Sequence, residues 1–297
     1  MDNSVKKYLP TKLAGYVGFI VQAVVNNFLP ILFIVFRNVY NLSYEKLGRL
    51  ILVNFVTQMF VDLLTPKIVE KAGYRKTAIM SQSFAAIGLI SLGILPNLIS
   101  DTYFAIVISV IIYASGSGIT EVILSPMIDM LPTGNKSGNM AVLHSFYCWG
   151  QAFTVLGTTA LVSVFGYHNW QYIPLIWALI PFLNTFSFLK VPIVEPSPDQ
   201  KMATFAELIK KPLFLLYMLM MLCAGASEIA MAQWASIFAQ NALGVSKVIG
   251  DIAGPCAFAL FMGTGRVVYA KFSKKVSFTK LLILLNVLCF VCYIVVG

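Results

Sequence analysis

Charged residues are scarce in this sequence. Aspartate, glutamate, lysine and arginine make up 11% of its 297 residues, whereas about 25% is typical of a soluble domain. Hydrophobic residues make up 59%, and the mean hydropathy is +0.83. So few charges cannot cover the surface of a soluble protein, and we therefore expect the chain to lie in a lipid bilayer.

Residues that bind metals or carry out catalysis are also few. All five cysteines lie in apolar runs, and the Cys289–Cys292 CxxC has no second pair and no histidine cluster to complete a metal site. The sequence contains no Walker motif, nucleophile elbow or HExxH, and residues 263–266 (GTGR) lie within or at the end of an apolar run. We expect no metal, no cofactor and no enzymatic activity.

Nine apolar runs of about 20 residues, the length that crosses a bilayer as a helix, follow one another along the chain. We predict membrane-spanning helices at 13–36, 46–66, 77–96, 103–131, 138–165, 170–190, 213–238, 247–270 and 278–297. The first run is too long for the apolar core of a signal peptide, and no small-residue cleavage site ends it. We therefore expect it to remain as the first membrane helix.

One long polar break divides this series. Residues 191–212 contain four prolines and separate six predicted helices from three, and 204–211 within them could form an amphipathic surface helix. We predict an all-helical membrane protein with a six-helix N-terminal bundle at 1–190. A cytoplasmic loop follows at 191–212, and a partial C-terminal bundle of three helices at 213–297.

The basic residues predict which side is cytoplasmic. With the N-terminus inside, seventeen of the 21 lysines and arginines fall inside and four fall outside, namely Arg37, Lys46, Arg49 and Lys247. Loops on the cytoplasmic side carry such an excess. We therefore predict a cytoplasmic N-terminus, and the net charge of +9 needs no nucleic-acid partner to explain it.

Two carboxylates, Glu121 and Glu228, lie about half-way through apolar spans. A charge in that position is costly and must face a wet cavity or a partner. One interpretation is a buried carboxylate that a serine, a threonine or the backbone satisfies. The other is a substrate-binding or proton-coupling group, since a desolvated carboxyl can load and release a proton near neutral pH.

Amides, aromatics and one histidine are the other candidates within the spans. They are Gln22, Asn26, Asn27, His144, Gln151 beside Trp149, and Gln233 beside Trp234. Amides next to aromatic faces suit an uncharged, polyhydroxylated ligand such as a sugar, although each aromatic alone could equally pack or face lipid. His144 could relay protons or simply pack. We expect Asp62, near the cytoplasmic end of the second span, to anchor contacts between helices rather than to bind substrate.

The stretch between the second and third spans reads PKIVEKAGYRK from Pro66. In it, Glu70, Lys71, Gly73 and Arg75 match the acid, first base, glycine and later base of a G-x-x-x-D-R-x-G-R-R loop. The stretch therefore resembles this motif of the major facilitator superfamily. Pro66 replaces the leading glycine, and Tyr74 replaces an arginine. The resemblance implies that this loop, with Asp62, gates the cytoplasmic side through charge pairing.

A second stretch resembles the fucose–proton symporter branch of that superfamily. Gly116-x-Gly118-x-x-Glu121 is followed by Ser125-Pro126 and by Leu143-His144-x-Phe146-x-x-x-Gly150. The resemblance implies that Glu121 is the coupling or sugar-binding carboxylate, and that the fold is a bundle in which this chain supplies nine of twelve helices. The chain departs from the branch at Ser125, which replaces an asparagine, and at Asn26, which replaces an aspartate. These departures leave Glu121 and Glu228 as the candidates for coupling.

These observations predict a secondary active transporter in the cytoplasmic membrane that moves a small polar solute, a sugar with protons, by alternating access. Proton-driven efflux of amphipathic compounds is an alternative, since the twelve methionines and 13% aromatics suit a soft, promiscuous pocket. A further alternative is a non-transporting membrane sensor or an inactive fragment. The expected partners are the bilayer, protons and a small-molecule substrate, and we expect a monomer.

Overall fold

The computed structural model describes residues 3–132, 136–195, 205–272 and 277–296, and in these residues helices are the regular structure and no strand occurs. The helices are α1 Asn3–Ile31, α2 Phe33–Tyr40, α3 Tyr44–Leu98, α4 Thr102–Asp129, α5 Lys136–Phe165, α6 Tyr172–Lys190, α7 Phe205–Leu208, α8 Pro212–Leu243, α9 Lys247–Asp251, α10 Ala257–Phe272 and α11 Phe278–Val296. A π-helical turn, Ile252–Cys256, joins α9 to α10.

The described helices supply the nine predicted passes. Six of them, α1, α3, α4, α5, α6 and α8, contain a stretch that is long and apolar enough to cross a membrane, and a seventh stretch runs through α9, the π-helical turn and α10. One of the six, α3, has 55 residues. A single pass needs about 20 residues, so α3 is long enough for two. The remaining pass is α11, which contains the shorter apolar stretch Thr279–Cys292. The prediction of an all-helical membrane bundle is therefore confirmed.

The first predicted helix, 13–36, is wrong in its boundaries. The helix begins ten residues earlier, at Asn3, and is interrupted at Leu32 before α2. Pro30 has no N–H to donate to the helix, and Leu32 N instead bonds to Leu29 O at 3.0 Å in a tighter turn. The predicted amphipathic helix 204–211 is also shorter, since α7 is a single turn.

The predicted loop between the second and third spans is a single residue in the structure. The helix continues through Pro66, and only Gly73 leaves it, with φ 76° and ψ 167°. This combination is open almost only to glycine, so one residue turns the chain. The carboxylate of Glu195 caps the helix that follows, because it accepts bonds from Tyr74 N at 2.7 Å and Arg75 N at 3.2 Å.

Arg75 fastens this turn to the end of α6. Its guanidinium donates to the carbonyl oxygens of Phe188, Leu189 and Val191, each at 2.9 Å. A helix leaves its last carbonyls without partners, so the arginine satisfies groups that α6 cannot satisfy itself. We call this end of the bundle, with the N-terminus, the Gly73 turn and residues 191–195, the basic end. The opposite end carries Asn41, Asp101, Gly166 and Gly244.

Helices α3 and α4 pack backbone to backbone. A Cβ added to Gly88 would lie 2.3 Å from Tyr113 N, and one added to Gly116 would lie 2.5 Å from both Ala85 N and Ser81 O. Small residues allow membrane helices to approach this closely. The two helices therefore form a rigid wall, and this wall holds Asp62 and Glu121.

The buried carboxylate of Asp251 joins the N-terminal helices to the later ones at the opposite end. Asp251 is fully buried, and its Oδ2 accepts from Lys247 Nζ at 2.5 Å and from Thr159 Oγ1 of α5 at 2.5 Å. Ser236 of α8 donates to its Oδ1. Asp251 therefore accepts bonds from α5, α8 and α9 at once.

We predict that Gly73→Ala lowers the melting temperature of the purified protein in detergent. The conformation of Gly73 excludes a Cβ, which would lie 3.0 Å from Glu195 Oε2, and forcing it costs about 1–3 kcal/mol. Gly265→Ala is the matched control, because nothing lies within 4 Å of its Cβ and its φ is helical. Equal melting temperatures for the two variants would contradict the role of the Gly73 turn.

We predict that Asp251→Asn destabilises the protein by about 3–5 kcal/mol, because it leaves Lys247 almost buried without a counter-ion. The double variant Lys247→Met/Asp251→Asn should recover part of this loss. Asp129→Asn breaks the exposed pair with Lys136 and should cost about 1 kcal/mol or less. Thermal unfolding in detergent measures all three, and similar shifts for Asp251→Asn and Asp129→Asn would disprove the ranking.

Candidate functional site

A polar cavity of about 550 Å³ lies between the N-terminal helices and the later ones. Side chains from α1, α3, α4, α5, α8 and α10 line it. The polar and charged members are Gln22, Asn26, Asn27, Gln58, Asp62, Glu121, His144, Tyr147, Gln151, Glu228 and Arg266, and the others include Phe19, Phe55, Met59, Leu63, Met221 and Ile229.

A network of amides holds the wall of the cavity where α1, α3 and α4 meet. Asn26 Oδ1 accepts from Gln58 Nε2 at 2.8 Å and from Ser117 Oγ at 3.3 Å, and the same Ser117 Oγ lies 3.3 Å from Gln58 Oε1. All three residues are buried. Buried amides with this many partners are fixed in orientation, so they can present a defined face to a ligand.

Glu121 opens onto the cavity. It projects from the middle of α4, is exposed there, and accepts a hydrogen bond from Gln22 Nε2 at 3.0 Å. The other amide atom of Gln22, Oε1, is buried and has no hydrogen-bond partner. The carboxylate thus faces a wet space, which removes much of the cost of placing it in an apolar helix.

Asp62 lies against α4, one turn from Glu121. A Cβ on Gly118 would lie 2.9 Å from Asp62 Oδ1, and this oxygen is buried without a hydrogen-bond partner. Asp62 also lines the cavity. The sequence predicted that Asp62 anchors a contact between helices. The structure places it at such a contact and also beside the candidate substrate residues.

Helix α5 presents one face to the cavity. His144, Tyr147 and Gln151 are spaced by three and four residues and so lie along the same side of the helix. Asn27 Nδ2 lies 3.4 Å from the hydroxyl of Tyr147, and Gln151 Nε2 is buried without a partner. His144 Nε2 lies 3.5 Å from Ser125 Oγ of α4.

The later helices complete the cavity with two opposite charges. Glu228 comes from α8, and Arg266 from α10. Arg266 Nη1 donates to His144 O at 3.1 Å, and its Nη2 lies 3.6 Å from the sulfur of Met262. Arg266 therefore bridges from the later helices to α5 at the edge of the cavity.

The cavity brings together most of the predicted residues. Gln22, Asn26, Asn27, Asp62, Glu121, His144, Gln151 and Glu228 all line it. The two tryptophans among the predictions lie elsewhere. Trp149 packs edge-on against Phe146 and covers Gly263, and Trp234 packs on Phe33. The side chain of Gln233 lies outside the described residues.

The remaining predicted residues lie at the basic end. Glu70 and Lys71 are exposed on α3, and Gly73 and Arg75 form the turn described above. Of these four, Arg75 makes described bonds that hold helices of the N-terminal part together. Within the described residues, no group of three or more histidine, cysteine, aspartate or glutamate side chains is placed to hold a metal ion.

Among the polar and charged lining residues, sequence reasoning missed Tyr147 and Arg266. The spacing from His144 to Gln151 would have found Tyr147, because a residue three along from His144 shares its face. Arg266 was counted only among the basic residues that set topology, near the cytoplasmic end of the predicted span 247–270. Nothing in the sequence alone distinguishes it from the lysines that follow.

A bundle of membrane-spanning helices around a polar cavity, built from two groups of helices, is the architecture of a membrane transporter. The sequence model of the Major Facilitator Superfamily matches residues 15–297. The chain therefore belongs to this superfamily. It is a multi-pass membrane protein with the fold of a transporter for small molecules.

Solved structures of sugar symporters share this fold. The E. coli fucose:proton symporter, in a form with one substituted residue, aligns over 91% of this chain and 72% of its own, with a TM-score of 0.69 and 14% identity. The E. coli xylose transporter in a partially occluded, inward-open conformation aligns over 90% and 71%, with a TM-score of 0.58 and 14% identity. No curated protein matches the chain by sequence.

Proposed function

We propose that this protein is a secondary active transporter that moves a sugar or a similar polyhydroxylated solute together with protons by alternating access. The observation that carries the proposal is the cavity. Its volume of about 550 Å³ is within the range of small-molecule sites. Its walls combine amides, carboxyl groups and aromatic rings.

The polar atoms without partners favour a ligand with hydroxyl groups. Gln22 Oε1 is an acceptor and Gln151 Nε2 is a donor, and both are buried and unpaired. A hydroxyl group donates and accepts at once, so a polyol can satisfy both kinds. Phe19 and Tyr147 supply ring faces beside these groups. The solved structures with the same fold include fucose and xylose symporters.

Glu121 is the proposed coupling residue. It is the carboxylate that faces the cavity from α4 and is held by the amide of Gln22. A proton on this group removes a charge from the cavity and changes the hydrogen bonds that it can make. Protonation thereby biases which side of the bundle is open, as alternating access requires.

The ends of the bundle support an inward-open state. The hydrogen bonds of Thr159 and Ser236 to Asp251, and the Trp234–Phe33 contact, close the opposite end between the two groups of helices. The cavity lies on the basic-end side of these contacts. We propose that the basic end faces the cytoplasm of a cytoplasmic membrane, because basic residues mark that side.

Efflux of amphipathic compounds is the second candidate. Phe55, Met59, Leu63, Met221 and Ile229 form an apolar part of the same cavity, and methionine adapts its shape to varied ligands. An efflux protein should protect cells against cationic or amphipathic toxins and accumulate no sugar. A sugar symporter should do the reverse.

We predict that Glu121→Gln inserts normally and abolishes proton-driven sugar accumulation, since the amide keeps the shape and cannot carry a proton. Proteoliposomes with an imposed pH gradient, tested with radiolabelled monosaccharides that include fucose and xylose, measure it. Glu45→Gln is the control, because Glu45 pairs with Arg49 on the surface of α3. Undiminished accumulation by Glu121→Gln would reject Glu121 as the coupling residue.

We predict that a reporter fused before Met1 lies in the cytoplasm. A fluorescent protein that folds in the cytoplasm should be bright there, and alkaline phosphatase at the same place should be inactive. The same pair inserted at Gly166 should give the opposite result, because the structure places Gly166 at the other end. Phosphatase activity at the N-terminus would overturn the proposed orientation.

A further inference from the structure

Asp62 lies on the side of α3 that faces the cavity, where an aspartate that only joined two helices would not need to be. Phe55, Gln58, Met59 and Asp62 follow one another at helical spacings on α3 and all line the cavity. The carboxylate therefore faces the same space as Glu121. Its Oδ1 is buried, and no described residue donates a hydrogen bond to it.

The packing of α3 on α4 makes the two carboxyl groups neighbours. Asp62 Oδ1 lies over Gly118, where a Cβ would come within 2.9 Å. Gly118 and Glu121 are three residues apart and share one face of α4. Because Gly118 has no side chain, there is room for Asp62 to pack against α4 beside Glu121.

The surroundings give this pair little positive charge. The titratable and charged groups that line the cavity with it are His144 and Tyr147 on α5, Glu228 on α8 and Arg266 on α10. Arg266 is the fixed cation among them, and its bonds run to His144 O and Met262. The described bond to the pair comes from the neutral amide of Gln22.

Two adjacent carboxylates repel each other when both are ionised, so a proton taken up by one changes the affinity of the other. Asn26, which lies nearby on α1, is an amide and has no proton to exchange at neutral pH. Its oxygen is already engaged by Gln58 and Ser117. The groups on α3 and α4 are thus placed to hold a proton in this region.

We propose that Asp62 is a second proton-carrying residue, and that Asp62 and Glu121 bind the transported proton as a pair across the α3–α4 contact. This role rests on the proposed function. A proton from water forms one O–H bond on a carboxyl oxygen of the pair, and breakage of this bond returns the proton to water on the other side. No electron is transferred.

Infrared titration tests the pair without any substrate. The purified protein, reconstituted in lipid, is titrated while the carboxyl C=O band is recorded for the wild type, Asp62→Asn and Glu121→Gln. Each substitution should remove one titrating carboxyl signal and displace the midpoint of the other by about one pH unit, because interacting sites titrate together. Asp129→Asn, in the exposed pair with Lys136, should leave both midpoints unchanged.

The proposal would be overturned if the two groups titrate independently. In that case, the titration midpoint of each carboxyl group would stay the same when the other is replaced. If Asp62→Asn fails to fold, as its melting temperature would show, Glu121→Gln alone still reports whether the Asp62 signal moves. The infrared result stands even if no sugar is transported, so that failure of the proposed function is recognised separately.

Transport provides the second arm. Asp62→Asn should keep sugar counterflow, which needs no proton gradient, and lose about tenfold or more of proton-driven accumulation. Asp62→Asn with wild-type accumulation and an unchanged pH profile would show that Asp62 only packs against α4. Loss of both counterflow and accumulation, with unchanged infrared midpoints, would assign it to substrate binding and reject the proton role.

Discussion

A carboxylate in a membrane-spanning helix is costly, and this constraint explains the arrangement of the bundle. Within the described helices, four carboxyl groups lie inside apolar stretches: Asp62, Glu121, Glu228 and Asp251. Three of them line one cavity. The fourth is buried and neutralised by Lys247. The way in which each carboxyl group is accommodated, by a cavity or by an ion pair, determines what its region of the protein can do.

Asp251 and the cavity carboxylates lie at different levels of the bundle and have different roles. Asp251 makes its bonds at the opposite end, where Thr159 of α5 reaches across to it. Asp62 and Glu121 have no ion-pair partner among the described residues, and they lie toward the basic end, on α3 and α4. A charge whose needs are met by protein can hold two groups of helices together. A charge that is left to the cavity can exchange protons or bind a ligand.

Apolar length and polar residues at mid-span were enough to predict much of this from the sequence. They placed nine passes and identified Glu121, Glu228 and the amides of α1. They could not show which side of each helix faces the cavity, because in a lipid environment the side that packs on other helices and the side that faces lipid are both apolar. Trp149 and Gln151 are two residues apart in sequence, yet one packs at Gly263 and the other lines the cavity. The Gly73 turn was missed for a related reason, because a polar stretch reads as a loop whether it spans ten residues or one.

The packing also shows which parts of the molecule can move. Inside the N-terminal part, α3 and α4 meet so closely that Gly88 and Gly116 leave no room for a methyl group, and sliding them would break many contacts at once. Between the N-terminal helices and the later ones, the opposite end is held by the hydroxyl of Thr159, the tilted rings of Phe33 and Trp234, and the buried Asp251. The packing of α10 on α5 is closer, since a Cβ on Gly263 would lie 2.8 Å from Trp149 Nε1. In the proposed transport cycle, the Thr159 and Trp234 contacts are therefore the ones that must open to expose the cavity to the other side, while α3 and α4 stay together.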